Sequence, residues 1–335
     1  MTAVPIPFAP QPRFQLLRTA TQRDDFAADV RAGLTAPTKS LPPRWFYDEL
    51  GSSLFDAICF LPEYYVMRAE AEVLNTHAHD IARELGANLR LVELGSGAAR
   101  KTRILLDELT QSQPDLEYVP VDVDGSMLER TGRDLLATYP RIRIAAVVAD
   151  FSRPSVPMAT LPATTARTVV LFLGSTIGNL EPDDAMVMLR DLRSALKPGD
   201  ALFLGADLRK SKSILEPAYD DALGVTAAFN LNLLTRMNRE LGAQFDVAAF
   251  RHRAFYDETL GRIEMHLVST RAQRVRIAAL DLDVEFAEGE TIHTESSYKH
   301  DDTTLARLAD GAGFTVGGKW TDSREFFADV LWIAS

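Results

Sequence analysis

The sequence contains very little cysteine. Cys59 is the only one among 335 residues, which excludes a disulfide framework and any zinc site built from several thiolates. The six histidines show neither an H-x-x-x-H pattern nor the spacing with acidic residues that is typical of metal ligands, so we expect no metal. A single thiol fits a reducing compartment, and we expect the protein to be cytoplasmic.

Basic residues are also scarce. Lysine and arginine number 36 against 47 aspartate and glutamate residues, which gives a formal net charge of −11. An acidic balance of this size disfavours broad binding to nucleic-acid backbones. The most apolar stretch, residues 168–180, is too short to span a bilayer, and the N-terminus lacks the basic start and apolar core of a secretory signal. We therefore expect neither nucleic acid nor membrane as a partner, and we expect a monomer.

What the sequence does contain is a regular alternation of short apolar runs and helical patterns. Such alternation predicts βαβ units, a parallel sheet and a ligand site at the carboxyl ends of its strands. The predicted strands cover 89–94, 116–122, 142–148, 168–173 and 201–204, with helices at 101–110, 126–137 and 184–196. The alternation stops after Asp207 and resumes with a helix at 303–311 and strands at 314–316 and 327–334.

The segment between these two parts has a different pattern. Residues 211–240 have a helical pattern, and residues 251–256 and 262–268 have strand patterns. We therefore predict that residues 209–299 form a second lobe, inserted after the fifth strand of the sheet.

The first predicted strand ends in a glycine turn. Its sequence, Glu93-Leu-Gly95-Ser-Gly97-Ala-Ala-Arg100, leads directly into a helix, where glycine lets the backbone turn sharply and lets a ligand approach closely. A G-x-G turn alone indicates a ligand site no more strongly than a structural turn. The dinucleotide pattern needs a third glycine beneath a pyrophosphate, and Arg100 stands in its place. A nicotinamide cofactor is therefore disfavoured.

Acidic residues at strand ends favour a nucleoside site. With Glu93 on the first strand, Asp122 ends the second, where it can accept ribose hydroxyls, and Asp150 with Phe151 ends the third, where they can flank an adenine. S-adenosylmethionine carries a nucleoside but no phosphate, which suits this turn. These motifs and the C-terminal element order resemble the class I methyltransferases. The resemblance implies a Rossmann-like α/β sheet of seven strands whose last strand runs antiparallel, with a smaller α+β lobe.

The loop after the fourth predicted strand bears on the methyl acceptor. Members of that superfamily that methylate a nucleobase amine carry Asp/Asn-Pro-Pro-aromatic here, whereas residues 173–180 read LGSTIGNL. The missing Pro-Pro pair and the acidic net charge both indicate a small acceptor. Asn179 either binds a small polar group such as a carboxylate or caps the helix that follows it. Its position alone favours neither interpretation.

Further segments resemble one family, the ergothioneine-pathway histidine N-alpha-methyltransferases. The matching segments are 41–48 (LPPRWFYD), 51–56 (GSSLFD), 61–70 (LPEYYVMRAE), 173–179 (LGSTIGN), 224–230 (GVTAAFN), 238–241 (NREL), 262–265 (RIEM) and 294–297 (TESS). The resemblance implies S-adenosyl-L-methionine as cofactor and L-histidine as substrate. It also implies successive methylation of the histidine α-amine to N,N,N-trimethylhistidine (hercynine), the first step of ergothioneine biosynthesis. Residues 296–300 (SSYKH) are more polar than the family pattern.

The same resemblance implies a division of the chain and a set of site residues. The methyltransferase domain would comprise residues 31–208 and 300–335, the substrate-binding lobe residues 16–30 and 209–299, and an N-terminal extension residues 1–15. The cofactor pocket would consist of Tyr47, Gly95, Lys101, Asp122, Asp150 and Phe151, with Lys101 at the methionine carboxylate. The substrate pocket would consist of Tyr64, Asn179, Tyr219, Thr226, Met265, Glu295 and Ser297. Tyr47 and Gly174 would lie near the reacting amine and are the predicted catalytic residues.

Each of these assignments competes with an ordinary structural role. By pattern alone, Lys101 is a solvated lysine, Met265 a core residue and the Glu295 segment an exposed strand. The chemistry of imidazole favours a functional role for that segment, because a carboxylate and a hydroxyl match the donor and acceptor capacity of the ring. Indole would leave the carboxylate poorly satisfied, so Glu295 should reject apolar aromatic amino acids.

The predicted reaction is an in-line displacement at the sulfonium methyl by the neutral α-amine. Tyr47 or a water molecule would take the amine proton, and the rings of Phe46, Tyr47 and Tyr64 would stabilise the growing cation. The alternatives are methylation of another amino acid such as tryptophan, a nicotinamide dehydrogenase, and a protein that binds S-adenosylmethionine without catalysis.

Overall fold

The computed structural model describes residues 13–19, 26–113, 115–152 and 154–335. Most of the predicted N-terminal extension, residues 1–12, and residues 20–25 of the predicted lobe lie outside the described residues. The division of the chain into domains stays a prediction, and the elements below show how the described parts are built.

A mixed sheet of eight strands forms the larger unit of the described chain. Its strands are β1 (Phe14–Arg18), β2 (Leu89–Leu94), β3 (Glu117–Asp122), β4 (Arg143–Val148), β5 (Arg167–Phe172), β6 (Ala201–Asp207), β12 (Phe314–Thr321) and β13 (Phe327–Ala334). Their spatial order is β1-β4-β3-β2-β5-β6-β13-β12, and β13 runs antiparallel to both of its neighbours. The predicted α/β sheet with an antiparallel last strand is therefore confirmed.

The strand count of seven was too low, because β1 adds an eighth strand at the sheet edge. β1 pairs in parallel with β4, and Phe14 packs where Gly132 has no side chain, since a Cβ on Gly132 would overlap the Phe14 ring. Residues 16–18 therefore pair in the large sheet. A five-residue strand that follows a proline-rich segment carries too short a pattern to be recognised from sequence.

Helices cover both faces of this sheet. α1 (Phe26–Thr35) and α2 (Glu49–Ile58) pack against the inserted segment instead. On the sheet, α3 (Val66–Leu85), α4 (Thr102–Ser112) and α5 (Gly125–Thr138) cover one face, and α6 (Ser155–Ala159), α7 (Pro182–Ala195) and α10 (Asp302–Ala312) cover the other. The strands between them are buried along almost their whole length, as expected of parallel strands covered on two faces. Within the described ranges, none of the helices combines the length and apolar character needed to span a bilayer.

The inserted segment forms a small antiparallel unit. β7 (Phe250–Asp257), β8 (Arg262–Ser269) and β11 (Thr291–Tyr298) make a three-stranded sheet, and β9 (Gln273–Ile277) pairs with β10 (Leu282–Phe286). The predicted strand patterns at 251–256 and 262–268 are confirmed as β7 and β8. The predicted helix at 211–240 is wrong in its middle, where Gly224 adopts a positive φ of 74° between α8 (Lys212–Leu215) and α9 (Val225–Leu241).

Candidate active site

The glycine turn lies at the carboxyl end of β2. Gly95 has a φ of +70° and Gly97 a φ of +48°, backbone conformations that favour glycine. A Cβ on Gly95 would also lie 3.1 Å from the Phe151 ring. The turn is therefore in contact with the aromatic side chain that is predicted to flank an adenine.

Two of the acidic strand ends lie beside this turn. Asp122 accepts hydrogen bonds from the Gly97 N–H at 2.9 Å and from the Asp124 N–H at 3.0 Å, and burial raises the pKa of its carboxyl. Asp150 accepts from the N–H and the hydroxyl of Ser152 at 2.8 and 2.9 Å. A carboxylate has about four acceptor positions, so each of them keeps capacity for ribose or adenine groups.

The third acidic strand end has a structural role instead. Glu93 is buried inside the sheet, where it accepts hydrogen bonds from Thr102 at 2.6 Å and from the Tyr118 hydroxyl. Burial raises its pKa to about 7, and these two donors oppose that shift. The expectation that all three acids contribute to a nucleoside site is therefore wrong for Glu93.

A buried glutamate that the sequence analysis did not identify joins two predicted site residues. Glu70 is fully buried on α3, where its carboxylate contacts Lys101 Nζ and accepts the Gly174 N–H at 2.7 Å. Gly174 has a φ of +80°, and a Cβ there would lie 3.2 Å from Lys101 Nζ. Glu70 thus holds Lys101 beside the loop that follows β5. Asp329 adds a second buried carboxyl nearby, and desolvation and the charge of Glu70 raise its pKa.

A row of aromatic rings leads from the surface to the lobe. Tyr47 packs edge-on against Phe55 at 5.5 Å between ring centroids, Phe55 against Tyr64 at 6.2 Å, and Tyr64 against Tyr219 at 6.2 Å. Phe46 was expected to face the substrate but is buried and stacks on Phe229 at 4.5 Å, so it belongs to the core. Because residues 43–46 form one tight helical turn, neighbouring side chains point in different directions.

Tyr47 is 46% exposed, while its neighbours in the row are largely buried. Desolvation and the nearby Glu295 raise the pKa of its phenol far above the usual range. Tyr47 is therefore neutral at physiological pH and can pass a proton through its hydroxyl, but it is not available as a phenolate base.

The two predicted imidazole contacts, Glu295 and Ser297, lie on β11. They are two residues apart and face the same side of the strand. Burial raises the pKa of Glu295 to about 7, and the charge of Lys299 opposes this shift. Tyr219 is within hydrogen-bond distance of Ser297, at 2.8 Å between oxygens. The structure thus brings the predicted Tyr64, Tyr219, Glu295 and Ser297 into one buried group.

Fully buried Lys299 completes this group, and the sequence analysis gave it no role. Its ammonium donates to Ser297 Oγ at 2.8 Å and to the Tyr219 hydroxyl at 2.9 Å, and it lies 2.8 Å from Asp207 Oδ2. Asp207 ends β6 and also binds Lys210 at 2.5 Å and Tyr65 at 2.8 Å. The ammonium therefore joins the lobe to the carboxyl end of the large sheet. The only indication of a role for Lys299 in the sequence was the unusually polar character of residues 296–300.

A β-bulge in β11 places the side chains of His293 and Glu295 on opposite faces of the small sheet. Glu295 pairs with Met265 and His293 with His266, and the register shifts between the two pairs. Because Met265 and His266 are consecutive, their side chains lie on opposite faces, and so do those of Glu295 and His293. Met265 is 1% exposed and lies on the Glu295 face, so the structure allows both of its proposed roles, in the core and at the pocket wall.

Asn179 and Thr226 lie on two further elements. Asn179 ends the turn 176–179, in which Gly178 lies against β11, since a Cβ there would be 2.7 Å from the Tyr298 carbonyl oxygen. Thr226 lies in the first turn of α9 and is 3% exposed. Asp221 accepts its N–H at 2.7 Å, and its hydroxyl lies beside the same carboxylate.

The histidines do form one cluster that spacing did not reveal. Strand pairing brings Glu264, His266 and His293 together on the outer face of the small sheet. Arg262 already holds the Glu264 carboxylate through contacts of 2.6 and 2.9 Å, and His266 binds it at 2.8 Å. A guanidinium at the carboxylate opposes a second cation, so the prediction that the protein uses no metal stays unchanged.

The residues at the carboxyl ends of β2–β5 fit S-adenosylmethionine. The turn at Gly95 offers backbone without side chains, and Asp122 and Asp150 keep acceptor capacity for a nucleoside. Phe151 offers a ring, and Lys101, 15% exposed, offers a cation for a carboxylate. When bound, S-adenosylmethionine supplies the methyl group carried on its sulfonium.

Comparison with known proteins agrees with this site. Residues 26–334 match the model of a family described as histidine-specific, S-adenosylmethionine-dependent methyltransferases. The chain is 50% identical to a histidine N-alpha-methyltransferase of Mycolicibacterium smegmatis, over 88% of this chain and 90% of that protein. It is 46% identical to the protein of the same name from Mycobacterium tuberculosis, with the same coverage. It is 28% identical to ergothioneine biosynthesis protein 1 of Schizosaccharomyces pombe, over 84% of this chain and 37% of that longer protein.

Proposed function

Because the chain belongs to the family of histidine-specific, S-adenosylmethionine-dependent methyltransferases, we propose that it methylates the α-amine of L-histidine. The reaction is repeated until the amine is quaternary, which gives N,N,N-trimethylhistidine for ergothioneine biosynthesis. We further propose that the protein acts as a cytoplasmic monomer. The observation that carries the choice of substrate is the buried carboxylate of Glu295 beside the hydroxyls of Ser297 and Tyr219.

Glu295 and Ser297 match a neutral imidazole. One ring nitrogen donates its N–H to Glu295, and the other accepts from the Ser297 hydroxyl. Asn179 and Tyr219 hold the carboxylate of the amino acid, and Tyr64, Met265 and Thr226 enclose the ring. With both ends fixed, the α-amine lies next to Gly174 and Tyr47, at the side of the cofactor pocket. Holding the amine in one position is the main contribution that the protein makes to a transfer from an already activated methyl donor.

The amine must lose protons as it is methylated, and Tyr47 is placed for this role. Its hydroxyl can accept a hydrogen bond from the amine and donate one to water. Its raised pKa keeps it neutral, so it relays protons and does not store negative charge. The rings of Tyr47 and Tyr64 also present π faces that favour a trimethylated cation.

Tryptophan is the alternative substrate that the site disfavours. Indole has an N–H for Glu295 but no ring nitrogen that accepts from Ser297. Leaving a buried donor unpaired costs about 1–3 kcal/mol. A protein that binds S-adenosylmethionine without catalysis is a weaker alternative, because the residues of both predicted pockets are present together.

The proposal is tested by supplying the purified protein with S-adenosylmethionine and an equimolar mixture of the protein amino acids. Mass spectrometry then identifies which of them gains methyl groups. Histidine should gain one, two and three, and the other amino acids none. Methylation of tryptophan in preference to histidine, or no methylation at all, would overturn the proposal. The Glu295→Ala variant serves as a matched control and should lose most of the reaction with histidine.

A further inference from the structure

The carboxylate of Glu70 lies between the two predicted pockets. Its Oε2 contacts the ammonium of Lys101, which is predicted to bind the methionine carboxylate of the cofactor, and its Oε1 accepts the Gly174 N–H at 2.7 Å. Gly174 belongs to the loop after β5 that is predicted to lie beside the reacting amine. Glu70 has no exposed surface. Within the described part of the chain, its two oxygens each serve one contact, one for each pocket.

The large sheet is shaped to admit this carboxylate. A Cβ on Gly205 of β6 would overlap Glu70 Oε1. Gly205 pairs with Asp329 of β13, and directly paired residues of antiparallel strands share a face, with Cβ atoms about 5 Å apart. Asp329 therefore lies beside Glu70, but neither of its oxygens has a hydrogen-bond partner among the described residues. Because a buried carboxylate without donors is costly, Asp329 is the neutral member of this pair and Glu70 the charged one.

Lys101 keeps free hydrogen-bonding capacity toward the cofactor. Lysine has three N–H donors, and Glu70 is the one acceptor of Lys101 in the ranges that the structure describes. Two donors therefore remain for the two oxygens of the methionine carboxylate. The side chain has a flexible four-carbon stem, so the contact with Glu70 is what fixes the position of the ammonium.

Resting on the function proposed above, we propose that Glu70 is a positioning residue that aligns the cofactor with the reacting amine. Through Lys101 it fixes the methionine end of S-adenosylmethionine, and through the Gly174 N–H it fixes the loop beside the amine. Each contact requires an accepting oxygen. A carboxylate offers two, whereas an amide offers one oxygen and a nitrogen that only donates. In Glu70→Gln the amide nitrogen must therefore face either Lys101 or the Gly174 N–H, and one of the two contacts is lost.

Asp329 provides a matched control for this substitution. Asp329→Asn makes the same change, from a carboxyl group to an amide, in the same buried cluster, and Asp329 bonds to neither Lys101 nor Gly174. Because Asp329 is neutral, the amide leaves the charge of the cluster unchanged. A general disturbance of the cluster should appear in both variants, whereas loss of alignment should appear only in Glu70→Gln.

The experiment measures the first methyl transfer to histidine in a single turnover, with the full-length enzyme saturated by S-adenosylmethionine and histidine. Glu70→Gln should lower the rate at least tenfold, because a small displacement of the reacting atoms costs up to about a hundredfold in rate. Asp329→Asn should transfer the methyl group at the wild-type rate.

Binding of two ligands to the same variants separates alignment from loss of structure. S-adenosylhomocysteine carries the amino-acid end of the cofactor, and 5′-methylthioadenosine has only the nucleoside and the thioether. In Glu70→Gln, Lys101 still attracts the carboxylate of S-adenosylhomocysteine, so calorimetry should show at least the wild-type affinity for both ligands. The rate then falls without a fall in affinity, which a general loss of structure does not produce.

Two results would contradict the proposal. One is an unchanged transfer rate in Glu70→Gln. The other is a loss of rate that comes with weaker binding of both ligands or that appears equally in Asp329→Asn.

If Glu70→Gln does not fold, the double variant Glu70→Gln/Lys101→Met removes both charges and leaves neither ion buried and unpaired. Its amide oxygen serves the Gly174 N–H alone, so it should transfer the methyl group at the rate of Lys101→Met. A slower rate in the double variant would also contradict the proposal. A wild-type enzyme that binds S-adenosylhomocysteine but does not methylate histidine would instead overturn the proposed function.

Discussion

The ionisation of Glu295 should control how histidine methylation depends on pH. Burial raises the pKa of its carboxyl from 4.5 to about 7. The group is then roughly 90% ionised at pH 8 and roughly 10% ionised at pH 6. Because the ionised carboxylate accepts the imidazole N–H about fivefold better than the protonated carboxyl does, the wild-type kcat/KM for histidine should fall about threefold between these pH values on account of Glu295 alone.

Glu295→Gln removes this titration with little change in shape. The amide keeps an accepting oxygen but never carries a charge, and a charge-assisted hydrogen bond exceeds a neutral one by about 1 kcal/mol, or about fivefold. The wild type should therefore exceed the variant about fivefold at pH 8. At pH 6 most of Glu295 is neutral, as the amide is, so the two enzymes should have nearly equal kcat/KM.

The assay measures initial rates of S-adenosylhomocysteine formation at low histidine concentration from pH 6 to 8. Dividing the wild-type profile by the variant profile cancels the titration of the imidazole and of the amine of free histidine. A ratio that stays constant across this range would show that Glu295 is not the acceptor for the ring, and it would refute the reasoning.

Three other changes test separate parts of the structure. Gly95→Ala places a Cβ 3.1 Å from Phe151 in a backbone conformation that favours glycine, so calorimetry should show at least tenfold weaker binding of S-adenosylmethionine. Unaltered affinity would mean that the turn does not contact the cofactor. Thr226→Val removes a buried hydroxyl that is predicted to contact the substrate. Its KM for histidine should rise about five- to tenfold, and a lower melting temperature with unchanged KM would contradict a substrate contact. Gly132→Ala forces the Phe14 ring to move, which should offset the gain of about 1 kcal/mol that alanine gives a helix interior, so chemical denaturation should show no gain in stability, with unchanged kcat/KM. A gain of about 1 kcal/mol would mean that β1 does not pack as described.

The parts of the fold that sequence analysis predicted share a local signal. Each central strand is a short apolar run followed by a helical pattern, and the glycine turn and Asp122 directly follow such runs. The spacing of apolar residues and the residues that favour turns depend on neighbouring positions, so both can be recognised in a single sequence. The edge strand β1 has only five residues and was not predicted. The predicted helix at 211–240 is interrupted between Leu215 and Val225.

The site residues that were missed depend on contacts between distant parts of the chain. Glu70 on α3 binds Lys101 and the Gly174 N–H, and Lys299 pairs with Asp207 at the end of β6 in the large sheet. A lysine in a polar segment is usually solvated, so the polar character of residues 296–300 does not by itself predict that Lys299 is buried. The bulge before Glu295 is a further example, since it changes which side chains share a face.

The central claim is that the pocket holds the imidazole and presents the α-amine for methylation. The most direct test is to locate the methyl groups of the product by NMR, with histidine labelled with ¹⁵N either at the α-amine or in the ring. The structure predicts that all three methyl groups are attached to the α-nitrogen and that the ring nitrogens remain unmethylated. A methyl group on a ring nitrogen would show that the substrate binds in the opposite orientation, and it would contradict the account.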